Sequence, residues 1–112
     1  MKTTPVQVEL HILRQDILDN DYINPEYCPI TRALARAGYP NLSDHGTNIE
    51  DNKRRIICGD RSNDYRELST TVASMYVYKN NPGKYENDPD TSILQPRDFT
   101  ATITLNLPTC AN

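Results

Sequence analysis

Hydrophobic and polar residues alternate most regularly in two segments, one near each end of the sequence. The apolar positions of the first segment are Val6, Val8, Leu10 and Ile12. Those of the second segment are Phe99, Ala101, Ile103, Leu105 and Leu107. A period of two residues is typical of a strand that buries one face. The sequence therefore predicts strands over residues 5–13 and 99–107, with Pro108 ending the second strand.

The segment from Cys28 to Gly38 has the spacing of a helix. The residues that recur at intervals of three and four positions, and so form one apolar stripe, are Ile30, Ala33, Leu34 and Ala37. Pro29 suits the first helical position, because the N–H group at that position has no partner within the helix. Gly38 can adopt the left-handed conformation that closes a helix. We therefore expect a helix over residues 28–38.

The middle of the chain is less regular. Ile17 and Leu18 fit a single helical turn before an Asn/Asp cluster. Residues 53–58 are predicted as a strand with a charged start, and residues 59–64 are rich in turn-forming residues. A strand followed by a turn suggests a hairpin, so residues 65–68 are predicted as its returning arm.

Residues 70–80 carry both helical spacing and β-branched or aromatic side chains, which suit a strand equally well. The helix is favoured because Ser69 or Thr70 can cap it and because a helix would cover a sheet face. Residues 80–94 follow as a long, polar surface loop, a length that is uncommon in compact domains unless the loop is functional.

The predicted order is strand, helix, strand, strand, helix, strand. This order indicates an α+β fold: a four-stranded antiparallel or mixed sheet with two helices on one face. The ferredoxin-like βαββαβ arrangement uses the same order. With 112 residues and no internal repeat, residues 1–112 are predicted to form a single domain.

Charge and hydropathy exclude several classes of protein. The formal net charge is −3, which disfavours a chain whose main task is to grip nucleic acid. No apolar run approaches the roughly 18 residues that a membrane span requires. The first residues carry a charge but no apolar region of a secretory signal, so we expect a cytoplasmic protein with reduced thiols.

Cys28 is the candidate nucleophile for one alternative function, a thiol-dependent enzyme. Backbone N–H groups at a helix N-terminus stabilise a thiolate and lower its pKa. His45, with Asp44 beside it, is the candidate base. No nucleophile motif surrounds Cys28, so a compact, half-buried helix cap is the favoured interpretation.

The other cysteines suggest no chemistry. A zinc site built from Cys28, Cys58, Cys110 and a histidine would have suitable ligand types but poor spacing, because structural zinc sites take their ligands in close pairs. Cys58 follows two isoleucines and is predicted to lie in the core or at a sheet edge. We therefore expect no metal, no cofactor and no catalytic residue.

Lys53, Arg54 and Arg55 form the basis of a second alternative, a weak nucleic-acid binder. Two acids, Glu50 and Asp51, come just before this basic run and largely cancel its local field. A solvated start to a strand is the favoured interpretation, and nucleic-acid binding is disfavoured.

Tyrosines supply nearly all of the aromatic residues, and tyrosine is enriched at protein interfaces. Acidic residues alternate in the loop that follows, but their spacing does not match a calcium-binding EF-hand. We predict a surface that binds a protein partner, made of Tyr76, Tyr78, Tyr85, Glu86, Asp88 and Asp90. A homo-oligomer is the other form of association left open.

Most of the chain resembles a group of small proteins found in phage genomes and in prophage regions of bacteria, from which it departs by a longer loop at residues 80–94 and a third cysteine. The segments that carry the resemblance are the strand Val6–Ile12, Gln15-Asp16-Ile17, the Cys-Pro-Ile start of the helix Cys28–Leu34, Val72–Tyr78, and Gln95-Pro96-Arg97-Asp98-Phe99. The resemblance implies a phage or mobile-element accessory protein in the host cytoplasm and transfers no catalytic residue. We therefore expect a non-catalytic protein that acts by binding, with inhibition of a host enzyme as one form of that activity.

Overall fold

The computed structural model describes residues 2–20, 28–59, 61–85 and 92–108, and these residues form an α+β fold. The described elements are three helices, two short 3-10 helices and five strands arranged in two antiparallel sheets. In chain order they are β1 (Thr3–Ile12), α1 (Arg14–Leu18), α2 (Pro29–Arg36), β2 (Ser43–Asp44), β3 (Ile49–Glu50), β4 (Ile56–Cys58), α3 (Asn63–Asn80), the 3-10 helices Pro82–Tyr85 and Ser92–Leu94, and β5 (Phe99–Pro108).

Both alternating segments form strands as predicted, and the two strands pair with each other. β1 and β5 run antiparallel, from the pair Thr3↔Pro108 to the pair Ile12↔Phe99. Because side chains alternate between the faces of a strand, this register places all the apolar positions of both strands on one face. The helices cover part of that face, and Leu10 and Ile103 are completely buried there.

The remaining strands form a second sheet in the order β2-β3-β4, so the described residues show no four-stranded sheet. The ferredoxin-like arrangement is not confirmed. The strand predicted over residues 53–58 is confirmed only at residues 56–58, which form β4. Asp51 accepts hydrogen bonds from the N–H groups of Lys53 and Arg55, and Arg54 has a positive φ of 62°. The basic run therefore forms a tight turn, and the strand begins only at Ile56.

α2 confirms the predicted helix and its end. Pro29 occupies the first turn, and Cys28 is the N-cap residue. Gly38 has a φ of 101°, its N–H donates to the carbonyl of Ala35, and the Tyr39 N–H donates to that of Leu34. This hydrogen-bond pattern is the Schellman motif, in which a glycine in the left-handed region closes a helix.

α3 confirms the helix predicted over residues 70–80 and corrects the hairpin arm predicted over residues 65–68. The helix begins at Asn63 and continues to Asn80. Its buried residues lie three, four and three positions apart, which places them on one face of a helix: Tyr65, Leu68, Val72 and Met75. The predicted turn ends inside this helix, because serine and aspartate are favoured at helix starts as well as in turns.

α1 confirms the single helical turn predicted around Ile17. Its first N–H, from Arg14, donates to the Asp98 carboxylate at 2.7 Å. The Asp16 carboxylate, which is buried, accepts from Arg32 at 3.1 Å and from Arg36 at 2.8 Å. These ion pairs bind α1 to α2 above a single cluster of buried apolar side chains.

The surface loop predicted over residues 80–94 contains both 3-10 helices, and residues 86–91 lie outside the described part of the chain. Among the described helices, none has the length and the apolar composition that crossing a membrane requires.

Candidate functional site

The best candidate surface lies along the solvent-facing side of α3 and continues onto the Ser92–Leu94 turn. Tyr78, near the end of α3, is half-buried, and its hydroxyl oxygen accepts a hydrogen bond from the Gln95 side chain at 2.9 Å. Ile93 is 65% exposed, an unusual environment for a large apolar side chain. Tyr78 and Ile93 therefore present aromatic and aliphatic surface on two elements that are in contact.

An open cavity of about 510 Å³ lies earlier along α3 and is lined by Asn63, Arg66, Glu67, Thr70 and Thr71. Thr71 precedes Tyr78 by two helical turns, so at about 100° per residue the two side chains project within about 20° of each other. The cavity and Tyr78 thus lie along one side of the helix. We call the surface formed by the cavity residues, Tyr78 and Ile93 the α3 surface.

Tyr76 does not belong to the α3 surface. Two helical positions separate Tyr76 from Tyr78, so their side chains project about 160° apart. The Lys79 ammonium lies 5.1 Å from the centre of the Tyr76 ring and donates to the Leu18 carbonyl of α1 at 2.7 Å. Tyr76 therefore lies beside the contact between α1 and α3, on the other flank of the helix from Tyr78.

The rest of the predicted binding set cannot be placed on either flank. The backbone of Tyr85 ends the first 3-10 helix, but its side chain lies outside the described atoms. Glu86, Asp88 and Asp90 lie wholly outside the described residues. Sequence reasoning also missed Ile93, although the pair Ile93-Leu94 at the end of a polar loop was a visible signal.

Cys28 lies at the helix start as predicted, but its environment does not activate it. Its Sγ is 3.4 Å from the Asp44 carboxylate, in position to donate to it. Burial and the negative charge of Asp44 raise the pKa of the Cys28 thiol from 9.0 to about 11. The backbone N–H groups of Ile30 and Thr31 act in the opposite direction but do not compensate. The thiol is therefore protonated at neutral pH, whereas a nucleophilic cysteine needs a lowered pKa.

His45, the candidate base for Cys28, is exposed, and its ring nitrogen is 2.9 Å from the Ser43 hydroxyl. Asp44 is the residue that reaches the thiol. The Asp44 carboxylate also accepts from the Gly46 N–H at 3.1 Å and from the Tyr65 hydroxyl at 2.5 Å. This buried cluster holds α2, β2 and α3 together, and its members are engaged with one another.

Tyr65 was not a candidate from the sequence, because nothing in its local pattern shows that it meets Asp44. Burial and the hydrogen bond to Asp44 raise the pKa of the Tyr65 hydroxyl above its usual value. Burial likewise raises the pKa of Cys58, which lies in the core as predicted. Each of these raised pKa values favours the uncharged form of its side chain, which is typical of buried polar groups with a structural role.

The basic run does not present three side chains ready to bind phosphate. The Arg55 guanidinium pairs with Asp51 at 2.7 Å, and the Lys53 main chain closes the turn around the same carboxylate. Burial of Asp51 acts to raise its pKa, but the hydrogen bonds from Arg55 and Lys53 outweigh this effect and lower it. A stable negative charge therefore lies at the centre of the basic run.

No group of three or more histidine, cysteine, aspartate or glutamate residues in the described ranges is arranged to hold a metal ion. Cys110, one ligand of the zinc site considered above, lies outside those ranges.

Comparison of the chain with protein-family models, with curated proteins and with solved structures finds no match.

Proposed function

We propose that this protein acts by binding another protein through the α3 surface. The observation that carries the proposal is the exposed Ile93 on a turn that contacts α3, beside Gln95, which holds the Tyr78 hydroxyl. Tyrosine is over-represented among the residues that dominate binding energy, because it combines a large contact area with a polar tip. The cavity earlier along the same side of α3 offers a recess for side chains of a partner.

The composition of the α3 surface supports a protein partner. Its apolar residues, Tyr78 and Ile93, share the surface with polar and charged side chains such as Arg66 and Glu67. Protein interfaces commonly combine aromatic and aliphatic anchors with polar residues in this way. A nucleic-acid site would instead need a concentration of positive charge, and Arg66 lies beside Glu67.

The thiol-enzyme alternative has less physical support than binding, because it requires an ionised Cys28 and burial beside Asp44 opposes ionisation. The nucleic-acid alternative is weakened by the ion pair between Arg55 and Asp51. The phage origin, the cytoplasmic location and the inhibition of a host enzyme stay predictions from sequence and charge.

A matched pair of substitutions tests the function. Ile93→Asp places a charge within the α3 surface, and Ile56→Asp places the same charge on β4, at the other exposed large apolar side chain of the described residues, which is 61% exposed. The wild type and both variants serve as bait in lysate of the natural host, at equal concentrations, after circular dichroism has shown equal folding. We expect wild type and Ile56→Asp to retain the same partner, and Ile93→Asp and Tyr78→Ala to lose it.

The opposite pattern would refute the proposal. If wild type retains nothing at micromolar bait, or if the Ile93 and Tyr78 variants retain the partner as well as wild type does, then the α3 surface is not the binding site.

A further inference from the structure

β1 has one paired edge and one open edge. β5 occupies the first edge along the whole length of the strand, and no described strand lies along the second. An open edge presents unpaired N–H and C=O groups that can template another strand.

Two hydrogen bonds identify the outward-facing groups. The His11 carbonyl accepts from the Arg36 guanidinium at 2.6 Å, and the Thr104 N–H donates to Asp64 at 3.1 Å. Thr104 stands opposite Gln7 in the ladder. In an antiparallel ladder, pairs that bond to each other alternate with pairs whose main-chain groups point away. The odd-numbered residues of β1 therefore direct their main-chain groups away from β5.

Arg36 already occupies the outward carbonyl of His11. The odd-numbered positions nearer the start of β1 are therefore the ones whose main-chain groups can pair with another strand. Their side chains are exposed, and no hydrogen bond joins their outward main-chain groups to any described residue. These open positions are Thr3, Pro5, Gln7 and Glu9.

We propose that this edge pairs with β1 of a second copy of the chain, antiparallel, about a two-fold axis at Val6. The four open positions are symmetric about Val6, so each one meets another open position: Thr3 lies opposite Glu9, and Pro5 lies opposite Gln7. Thr3 and Glu9 exchange two hydrogen bonds, and the Gln7 N–H donates to the Pro5 carbonyl. The absence of an N–H in proline removes one bond from each Pro5–Gln7 pair.

Charge and packing agree with this register. Glu9 faces a threonine, so the paired strands place no like charges opposite each other. Val6, which is half-buried, faces Val6 of the second copy and extends the apolar face of the ladder. An axis at Gln7 would instead place Thr3 opposite His11, whose carbonyl Arg36 occupies. The product is a four-stranded sheet in the order β5-β1-β1-β5.

Size-exclusion chromatography with light scattering tests the dimer, because the chain has a mass of 12.8 kDa and its dimer twice that mass. Gln7→Pro removes an outward N–H without touching a bond to β5, and Gln7→Ala keeps the N–H as the matched control. We expect wild type and Gln7→Ala to dimerise and Gln7→Pro to need at least about tenfold higher concentration. A wild type that stays monomeric up to high micromolar concentration overturns the proposal, and so does equal dimerisation of the two variants.

Disulfide trapping decides the register, and decides the proposal itself if Gln7→Pro does not fold. In a Cys110→Ser background, Val6→Cys brings two thiols face to face across the axis, where Cα atoms about 4.5 Å apart can be bridged. Thr4→Cys, exposed on the same face, leaves its two copies too far apart. Trapping of the Val6 variant alone supports the proposal, whereas equal trapping of both variants, or trapping of neither, refutes it. The α3 surface plays no part, so its failure as a binding site would leave these results unchanged.

Discussion

Tyr65→Phe is the most informative single substitution in the core, because it removes one oxygen and leaves the ring in place. The side chain is 1% exposed, and its hydroxyl donates to the Asp44 carboxylate at 2.5 Å. The variant leaves that carboxylate buried with two remaining donors, the main-chain N–H of Gly46 and the more distant Cys28 thiol.

A hydrogen bond to a charged group contributes about 1.5–3 kcal/mol to stability, and losing it inside a protein also leaves the acceptor poorly satisfied. The two remaining donors limit that penalty. We therefore expect the free energy of unfolding to fall by about 2 kcal/mol. For a chain of this size, a loss of that magnitude lowers Tm by about 8 °C.

Urea unfolding followed by circular dichroism measures the change. Tyr78→Phe is the control, because it removes the same oxygen from a half-buried site near the surface, and it should cost less than about 0.5 kcal/mol. A second comparison uses the Asp44→Ala background, in which the Tyr65 hydroxyl has lost its acceptor. There Tyr65→Phe should be neutral or stabilising, since the difference between the two backgrounds measures the coupling of the pair.

Two results would contradict this reasoning. A loss below about 0.5 kcal/mol for Tyr65→Phe would show that the hydrogen bond contributes little. An equal loss with and without Asp44 would assign the effect to ring packing instead of the hydroxyl.

Three further substitutions test other parts of the fold. Burial beside Asp44 raises the pKa of the Cys28 thiol from 9.0 to about 11, so the contribution of the protonated thiol to folding stability is present below pH 9 and is lost as the pH rises to 11. In urea titrations, Cys28→Ala should reduce that loss of stability by about 2 kcal/mol. Arg36→Ala removes the bonds to Asp16 and to the His11 carbonyl and should cost about 1–2 kcal/mol by thermal unfolding, with the exposed Arg66→Ala within about 0.5 kcal/mol of wild type. Gly38→Ala should cost about 1 kcal/mol in the same assay, because its φ is 101°. Gly59→Ala, whose φ is not positive, should cost less; equal costs would show that the helix end does not need glycine.

The terminal strands and α2 could be predicted because their signals are local. Alternation in β1 and β5 extends over enough residues to define a buried face, and the proline and glycine that bound α2 act through their own backbone preferences. The shared pattern predicted that the two strands belong to one layer. It did not predict which residues of the two strands lie opposite each other, because a register depends on contacts between distant residues.

The error at residues 65–68 has a physical explanation. Tyr65 and Leu68 supply only the first part of an apolar stripe that Val72 and Met75 complete. A window that stops at residue 68 contains too few positions to distinguish a helix from a strand. The strand predicted to begin at residue 53 was wrong over residues 53–55 for a different reason. Hydrogen bonds to Asp51 fold these residues into a turn.

The candidate site was the least predictable part. The sequence identified Tyr78 by residue type, but its separation from Tyr76 becomes visible only once both are placed on a helix. Similarly, Asp44 and Tyr65 are 21 positions apart, and their contact exists only after α3 packs against β2.

The pairing of β1 with β5 also determines when the molecule can complete its fold. As the ribosome synthesises the chain, β5 emerges only after β1 and all the described elements between the two strands have been made. Contacts so distant in sequence slow folding, because a long loop must close before the contacts form. Until then Leu10 and Ile12 have no strand beside them, so the nascent chain exposes apolar side chains that the folded molecule buries.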